Sequence, residues 1–288
     1  MIRTIHFSSF LLALFILGLV LGCEAKKNTS PDVINIMVSI LPQKGIVQAI
    51  GGPHVHVSVM IPPGTSPSYY NPSPSKMDKL SHATVYIKMG YLPFELANMQ
   101  RLKQFNPKLF IVNQATRLSL IKGTHGTDPH IWLSPRLMLQ QINTIRDALI
   151  QSDPHHHAIY KKNADLLSEQ IQDLDAYIQA QLYPYKGKHF LVYHPFLGYF
   201  AQQYDLIQLA IEGHGKEPTL HHLSEMYEKS QKYRINTLFV QKQNGHQLSQ
   251  KMSQHFGSKL ATLNPLAEDY ILMMKQITNT LVKSFESD

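Results

Sequence analysis

A chain of 288 residues with 43% hydrophobic and 16% charged residues can build a folded core, which excludes a disordered protein and leaves room for two domains of ordinary size. The net charge is +7, but Lys and Arg are scattered and never alternate with aromatics in a run. That argues against nucleic acid as a partner and suits work beside an anionic membrane surface. The single Cys excludes an internal disulfide.

Arg3 precedes an apolar run, Phe10 to Leu21, which closes on Val20-Leu21-Gly22-Cys23. A charged start, an apolar core and a small residue before a cleavage point make a secretory signal. The order apolar, any, Gly, Cys resembles a bacterial lipobox, which implies cleavage before Cys23 and lipid attachment to it. Residues 1–22 are then a lipoprotein signal peptide and 23–32 a polar tether, with the protein held outside the cytoplasm, in the periplasm or at the cell surface. The alternatives are a plain signal peptide and an uncleaved anchor. No later stretch reaches the ~18 apolar residues of a membrane span.

Strand and helix signals then alternate. Val33 to Ile40, Val55 to Ile61, Val85 to Lys88 and Leu109 to Val112 read as strands, with helices at Pro42 to Ile50, Met77 to Ala83 and Pro135 to Gln151. The loop from Pro62 to Ser75 is rich in Pro, Gly and Ser. Ser134-Pro135 is an N-cap followed by a first-turn proline. Asp153-Pro154 repeats that signal at the head of a long helix, where Leu167, Ile171, Leu174, Ile178 and Leu182 form one apolar stripe. About 30 residues at 1.5 Å each span roughly 45 Å, enough to cross a small protein. Beyond it, strands at Phe190 to Tyr193, Leu206 to Ile211, Thr237 to Val240 and Lys259 to Leu263 alternate with helices at Pro195 to Tyr204, Leu220 to Lys232, Ser249 to Phe256 and Glu268 to Ser287. The pattern predicts an α/β protein: an N-terminal lobe over 33–152, a linker helix over 153–184 and a C-terminal lobe over 185–288. Both lobes should carry parallel sheets.

Ligands of such sheets sit outside the carboxyl ends of the strands. That rule selects the Pro62 to Ser75 loop, His194, Glu212 to Pro218, Gln241 to Gly245 and Asn264. His130 stands on a stiff loop, Asp128-Pro129-His130-Ile131-Trp132, before a helix. One His from each half could share a borderline metal, zinc by default, although each alone also suits a hydrogen-bonded structural role. His155-His156-His157 projects in three directions and reads as a solvated turn, and His54 and His56 as an exposed strand face. His125 and His214 are spare donors. Glu217 could orient a ligating His through its other ring nitrogen. No G-x-S-x-G elbow, phosphate-cradling glycine loop or HExxH pair occurs, so nothing marks an enzyme. A metallohydrolase using an open two-His site is a remote alternative.

Pro63-Gly64 with its following loop, Met77 to Ala83, Asp128 to Pro135, Tyr193 to Phe200, Gly215 to Pro218 and Asn264-Pro265-Leu266-Ala267 before a helix with Met273-Met274 occur in a telling order. In them the chain resembles the metal-specific (zinc/manganese) solute-binding lipoproteins of bacterial ABC importers, from about Ile34 to Phe285. The resemblance implies two α/β lobes joined by one long rigid helix, with a divalent cation captured between them and delivered to an ABC permease in the cytoplasmic membrane. It further implies a monomer, anchored to the bilayer through Cys23. His130 and His194 match two of the family's ligands. Ser68 stands where the family has a His, and Asn264 where it usually has an Asp, so two of four donors are neutral. The His-rich loop of the family is absent or reduced to His125. Tyr69 and Tyr70 are spare hydroxyls. A diverged paralogue that binds another ligand or acts as a surface adhesin is the alternative that these departures leave open.

Overall fold

Two parallel four-stranded sheets with the same winding make up the frame of the molecule. The computed structural model describes residues 33–67, 70–123, 126–213, 218–243 and 246–287. The first sheet comprises β1 (Ile34–Val38), β2 (Val55–Val59), β3 (Val85–Lys88) and β4 (Phe110–Asn113) in the order β2-β1-β3-β4. Helices α1 (Leu41–Gly51), α2 (Pro74–Ser81) and α3 (Pro93–Phe105) connect its strands. A short ribbon follows, β5 (Lys122–Gly123) with β6 (Gly126–Thr127), and then α4 (Pro135–Ser152) and the long α5 (His157–Leu182). The second sheet comprises β7 (His189–Val192), β8 (Ile207–Ala210), β9 (Thr237–Gln241) and β10 (Lys259–Leu263) in the order β10-β9-β7-β8. Read from its other edge this is the first sheet's order, so each half has a switch point beside its first strand, where α/β sheets open a crevice. Helices α6 (Gly198–Gln203), α7 (Leu220–Lys232), α8 (His246–Phe256) and α9 (Tyr270–Ser287) complete the fold.

The 26-residue α5 buries Tyr160, Ala164, Leu167, Ile171, Leu174, Ile178 and Leu182 along one face, the expected stripe extended by about two turns. Each such aliphatic side chain contributes roughly 1.5–3 kcal/mol on full burial, before the entropy of ordering it is counted. Against α5 lie α1 and α4 from the first half and α9 from the second. One apolar cluster therefore runs from the first sheet through these helices to Phe190, Val192, Phe239 and Leu263 of the second. The alternate residues, Leu191, Tyr193, Leu238 and Val240, turn to the opposite face and pack with Met226 and Phe256 in a smaller cluster, as the two-residue period of a strand requires. A continuous core through the linker opposes free hinging of the halves. At Gly45 of α1 an added Cβ would lie 2.4 Å from the Glu268 carbonyl oxygen, so only glycine lets α1 approach the chain leading into α9.

Several sequence expectations are corrected. Asp153 does not cap the long helix. Pro154–His156 is a 3-10 turn without a side-chain cap bond, and the Asp153 carboxylate instead accepts from His156 Nδ1 at 2.5 Å and the Tyr160 hydroxyl at 2.6 Å. His156 is thus no freely solvated residue, because its ring also stacks on His54 with centroids 3.6 Å apart. His54 lies in a 3-10 turn ahead of β2 and not on the strand. The helix expected from Pro195 begins at Gly198, and the Leu197 amide just before it is taken by Gln208 Oε1 at 2.7 Å. Helix α3 was not expected: its buried residues are only Phe94, Glu95 and Leu102, too few for a visible apolar period.

Candidate metal centre

His130 is fixed by its own loop. Asp128 Oδ1 accepts from the His130 backbone amide at 2.9 Å and faces His130 Nδ1 at 2.7 Å. A carboxylate on Nδ1 places the ring proton there and leaves the Nε2 lone pair outward, the tautomer that a metal ligand needs. The loop cannot swing, because Trp132 Nε1 donates to the Pro265 carbonyl at 2.8 Å. Gln141 Nε2 donates to the Ile131 carbonyl at 3.1 Å. The Tyr199 hydroxyl donates to the Asp128 carbonyl at 2.8 Å and accepts from the Ile121 amide at 3.1 Å. Burial pushes that hydroxyl up to about 12, so it remains a neutral donor. Ser134 accepts from the Leu137 amide as the cap of α4, which anchors the far end of the loop.

His194 is fixed by the sheet. It follows β7, and Glu212 follows the neighbouring β8, whose last ladder bonds include Glu212 N to the Tyr193 carbonyl at 2.8 Å. That register sets Glu212 Oε2 2.9 Å from His194 Nδ1. Both halves thus use one device, an imidazole whose inner nitrogen is held by a carboxylate. The Asp128 and Glu212 side chains are only 5% and 15% exposed, so their charge is felt strongly by whatever lies beyond the rings. The two rings meet edge to face with centroids 5.3 Å apart, bringing together the two His that the sequence paired. Close packing supports this arrangement: an added Cβ at Gly198 would lie 2.7 Å from Asp128 Oδ2.

Among the described residues no three or more His, Cys, Asp or Glu are grouped so as to hold a metal. Asn264 follows β10, and its Oδ1 accepts from Gln243 Nε2 at 3.2 Å. Tyr70 packs on Phe94 with ring centroids 5.4 Å apart, and burial pushes its hydroxyl up, the Ser73 amide offsetting this in part. Ser68, Tyr69, His125, Glu217 and Cys23 lie outside the described residues.

Beneath the first sheet's carboxyl edge lies a buried polar network. Glu95 accepts from the Met89 and Gly90 amides at 2.7 and 2.6 Å and from the Ser39 hydroxyl, which also meets the Tyr86 hydroxyl at 2.9 Å. Burial holds the Glu95 carboxyl above its ordinary range, against the pull of these donors. The network ties the ends of β1 and β3 to the first turn of α3.

Sequence reasoning placed Glu212 and Gln243 in stretches at strand ends and Asp128 in the His130 loop, but gave none of the three a role. The Asp-x-His spacing was the available sign for Asp128. Glu212 lies 18 residues from His194, and only the β7–β8 pairing shows the connection.

The family model described as zinc-uptake complex component A, periplasmic, matches residues 36–284. The zinc-binding lipoprotein AdcA of Streptococcus pneumoniae is 26% identical over 316 aligned positions, covering 97% of this chain and 61% of that protein. The chain thus spans about three fifths of that relative's length. A crystal structure of ZnuA superposes with a TM-score of 0.83 at 30% identity, over 88% of this chain and 99% of that one. The Zn(II)-bound AdcA of S. pneumoniae superposes with a TM-score of 0.74 at 26% identity, over 88% of this chain and 57% of that one. With a family model matched over most of its length and a fold shared with ZnuA, the chain belongs to the family of periplasmic zinc-uptake component A proteins.

Proposed function

We propose that this chain is the extracytoplasmic solute-binding protein of a metal-ion ABC importer, capturing a divalent cation between its halves and delivering it to a membrane permease. The observation that carries the reading is the pair of imidazoles, one from each half, each with a carboxylate on Nδ1. Zinc is favoured over manganese, because imidazole nitrogen suits zinc whereas manganese prefers carboxylate and water oxygen. His130 and His194 bind directly, and neutral oxygens from the Asn264 region and the Ser68 loop complete the shell. Asp128 and Glu212 offset the charge of the dication through the rings, so the missing carboxylate ligand leaves the site less deficient than its donor set suggests.

The chain is read as a carrier and not an enzyme. The name of the S. pneumoniae relative, a lipoprotein, supports attachment of this chain through Cys23 to a bacterial membrane. No helix among the described residues is long and apolar enough to cross one. The protein is proposed to act as a monomer that meets its permease only in passing.

Trp132 provides the test. It is the sole Trp, it is buried, and its ring lies 5.2 Å from that of His130. Zinc added to chelator-stripped protein should change its fluorescence in a saturable one-to-one titration, manganese should do so only at higher concentration, and His194→Ala should abolish the response. A zinc response identical in His194→Ala would contradict the reading.

A further inference from the structure

We propose that Gln243 is a specificity-determining ligand of the site, supplying through its side-chain carbonyl the neutral oxygen that joins the two imidazoles. The inference rests on His130 and His194 as the metal's nitrogen donors. Gln243 follows β9, which lies between β7 and β10. The Tyr193 amide donates to the Phe239 carbonyl at 2.9 Å, and the Lys242 amide to the Leu263 carbonyl at 2.8 Å. The chain leaving β9 is thereby laid between the His194 and Asn264 loops. The Asn264 loop is in turn joined to the His130 loop by the Trp132–Pro265 bond.

Gln243 and Asn264 share one hydrogen bond, from Gln243 Nε2 to Asn264 Oδ1. However the two amides are turned, a single N–H···O bond satisfies one carbonyl oxygen and leaves the other over. Here the remaining one is Gln243 Oε1, which is buried without a hydrogen-bond partner. A buried amide oxygen left unpaired is unfavourable, and a cation reached by that oxygen removes the deficit. Asn264, through its Oδ1, steadies the Gln243 side chain. A donor set of two imidazoles and an amide oxygen carries no negative charge of its own, so it discriminates against hard cations that require carboxylate oxygen.

The experiment is a competition titration of chelator-stripped protein with zinc and with manganese, in wild type, Gln243→Ala, Gln243→Glu, Asn264→Ala and His130→Ala. Gln243→Ala should weaken zinc binding by about tenfold or more, and by more than Asn264→Ala does. Gln243→Glu, nearly isosteric and so a control for folding, should strengthen manganese binding more than zinc binding. It should also shift the visible absorption of the cobalt-loaded protein, which a purely structural residue would leave unchanged. Zinc affinity within about twofold of wild type in Gln243→Ala, or an unchanged zinc-to-manganese ratio in Gln243→Glu, would overturn the assignment while loss of binding in His130→Ala keeps the two-imidazole reading intact. Wild-type affinity in His130→Ala would overturn both.

Discussion

The His130 and His194 rings lie edge to face, 5.3 Å between centroids, although 64 positions separate them in a chain whose two halves each form their own sheet. Each Nδ1 is held from within its own half. Asp128 orients the first ring from two residues away and Glu212 the second from a neighbouring strand, while the His130 loop is braced from the other half by Tyr199 and by the Pro265 carbonyl.

The carboxylates should therefore matter nearly as much as the rings. Asp128→Asn and Glu212→Gln each retain an oxygen but lose the charge, and each should weaken zinc binding by about 10- to 100-fold. Competition against a chromophoric chelator reads this directly. Wild-type affinity in both variants would show that the imidazoles act without their partners.

A methyl group at position 198 should act on the site without facing it. The Cβ of Gly198→Ala would fall 2.7 Å from Asp128 Oδ2, and Asp128 cannot turn away without releasing His130 Nδ1. The variant should lose zinc affinity by about tenfold, with its far-UV circular dichroism unchanged. Full affinity would mean that helix α6 shifts instead.

Removing the Trp132–Pro265 bond should be seen in stability. Trp132→Phe retains most of the buried ring but leaves the Pro265 carbonyl without its 2.8 Å donor, costing about 1–3 kcal/mol. Chemical denaturation should give a lower midpoint at an unchanged slope. An unchanged midpoint would place this bond outside the energetics of the fold.

Acid should unlock the head of the long helix. Burial raises the Asp153 carboxyl, but the hydrogen bonds from Tyr160 and His156 outweigh it and hold the group below its ordinary value. A depressed folded pKa gives stability that is complete above the unfolded value and lost as pH falls through the folded one. Melting temperature should thus fall below about pH 4, and Asp153→Asn should be less stable at neutral pH while losing less on acidification. Parallel acid profiles for the two proteins would remove Asp153 from the account.

Much of this architecture was legible in the sequence, because alternating strands and helices and the stripe from Leu167 to Leu182 are local patterns that burial enforces. Helix α3 was not, since Leu96 and Phe105 are exposed and its buried face is too sparse to repeat. His130 and His194 stood out by position at strand and loop ends. Their carboxylates were harder to find. Asp128 acts within a turn that the Asp-Pro-His sequence permits but does not demand, and Glu212 depends on which strand neighbours β7. Asp153 carried a helix-cap signal, yet the nearby His156 and Tyr160 compete for the same oxygen. Asn264 stands out by its place after β10, and only the packed structure gives its oxygen to Gln243.

The most direct test of the central claim is calorimetric titration of zinc into chelator-stripped protein beginning at Cys23, for wild type and for His130→Ala. Wild type should show one saturable site per chain, and the variant no heat of specific binding. Equal binding in both, or heat that disappears only when His155, His156 and His157 are replaced, would contradict it.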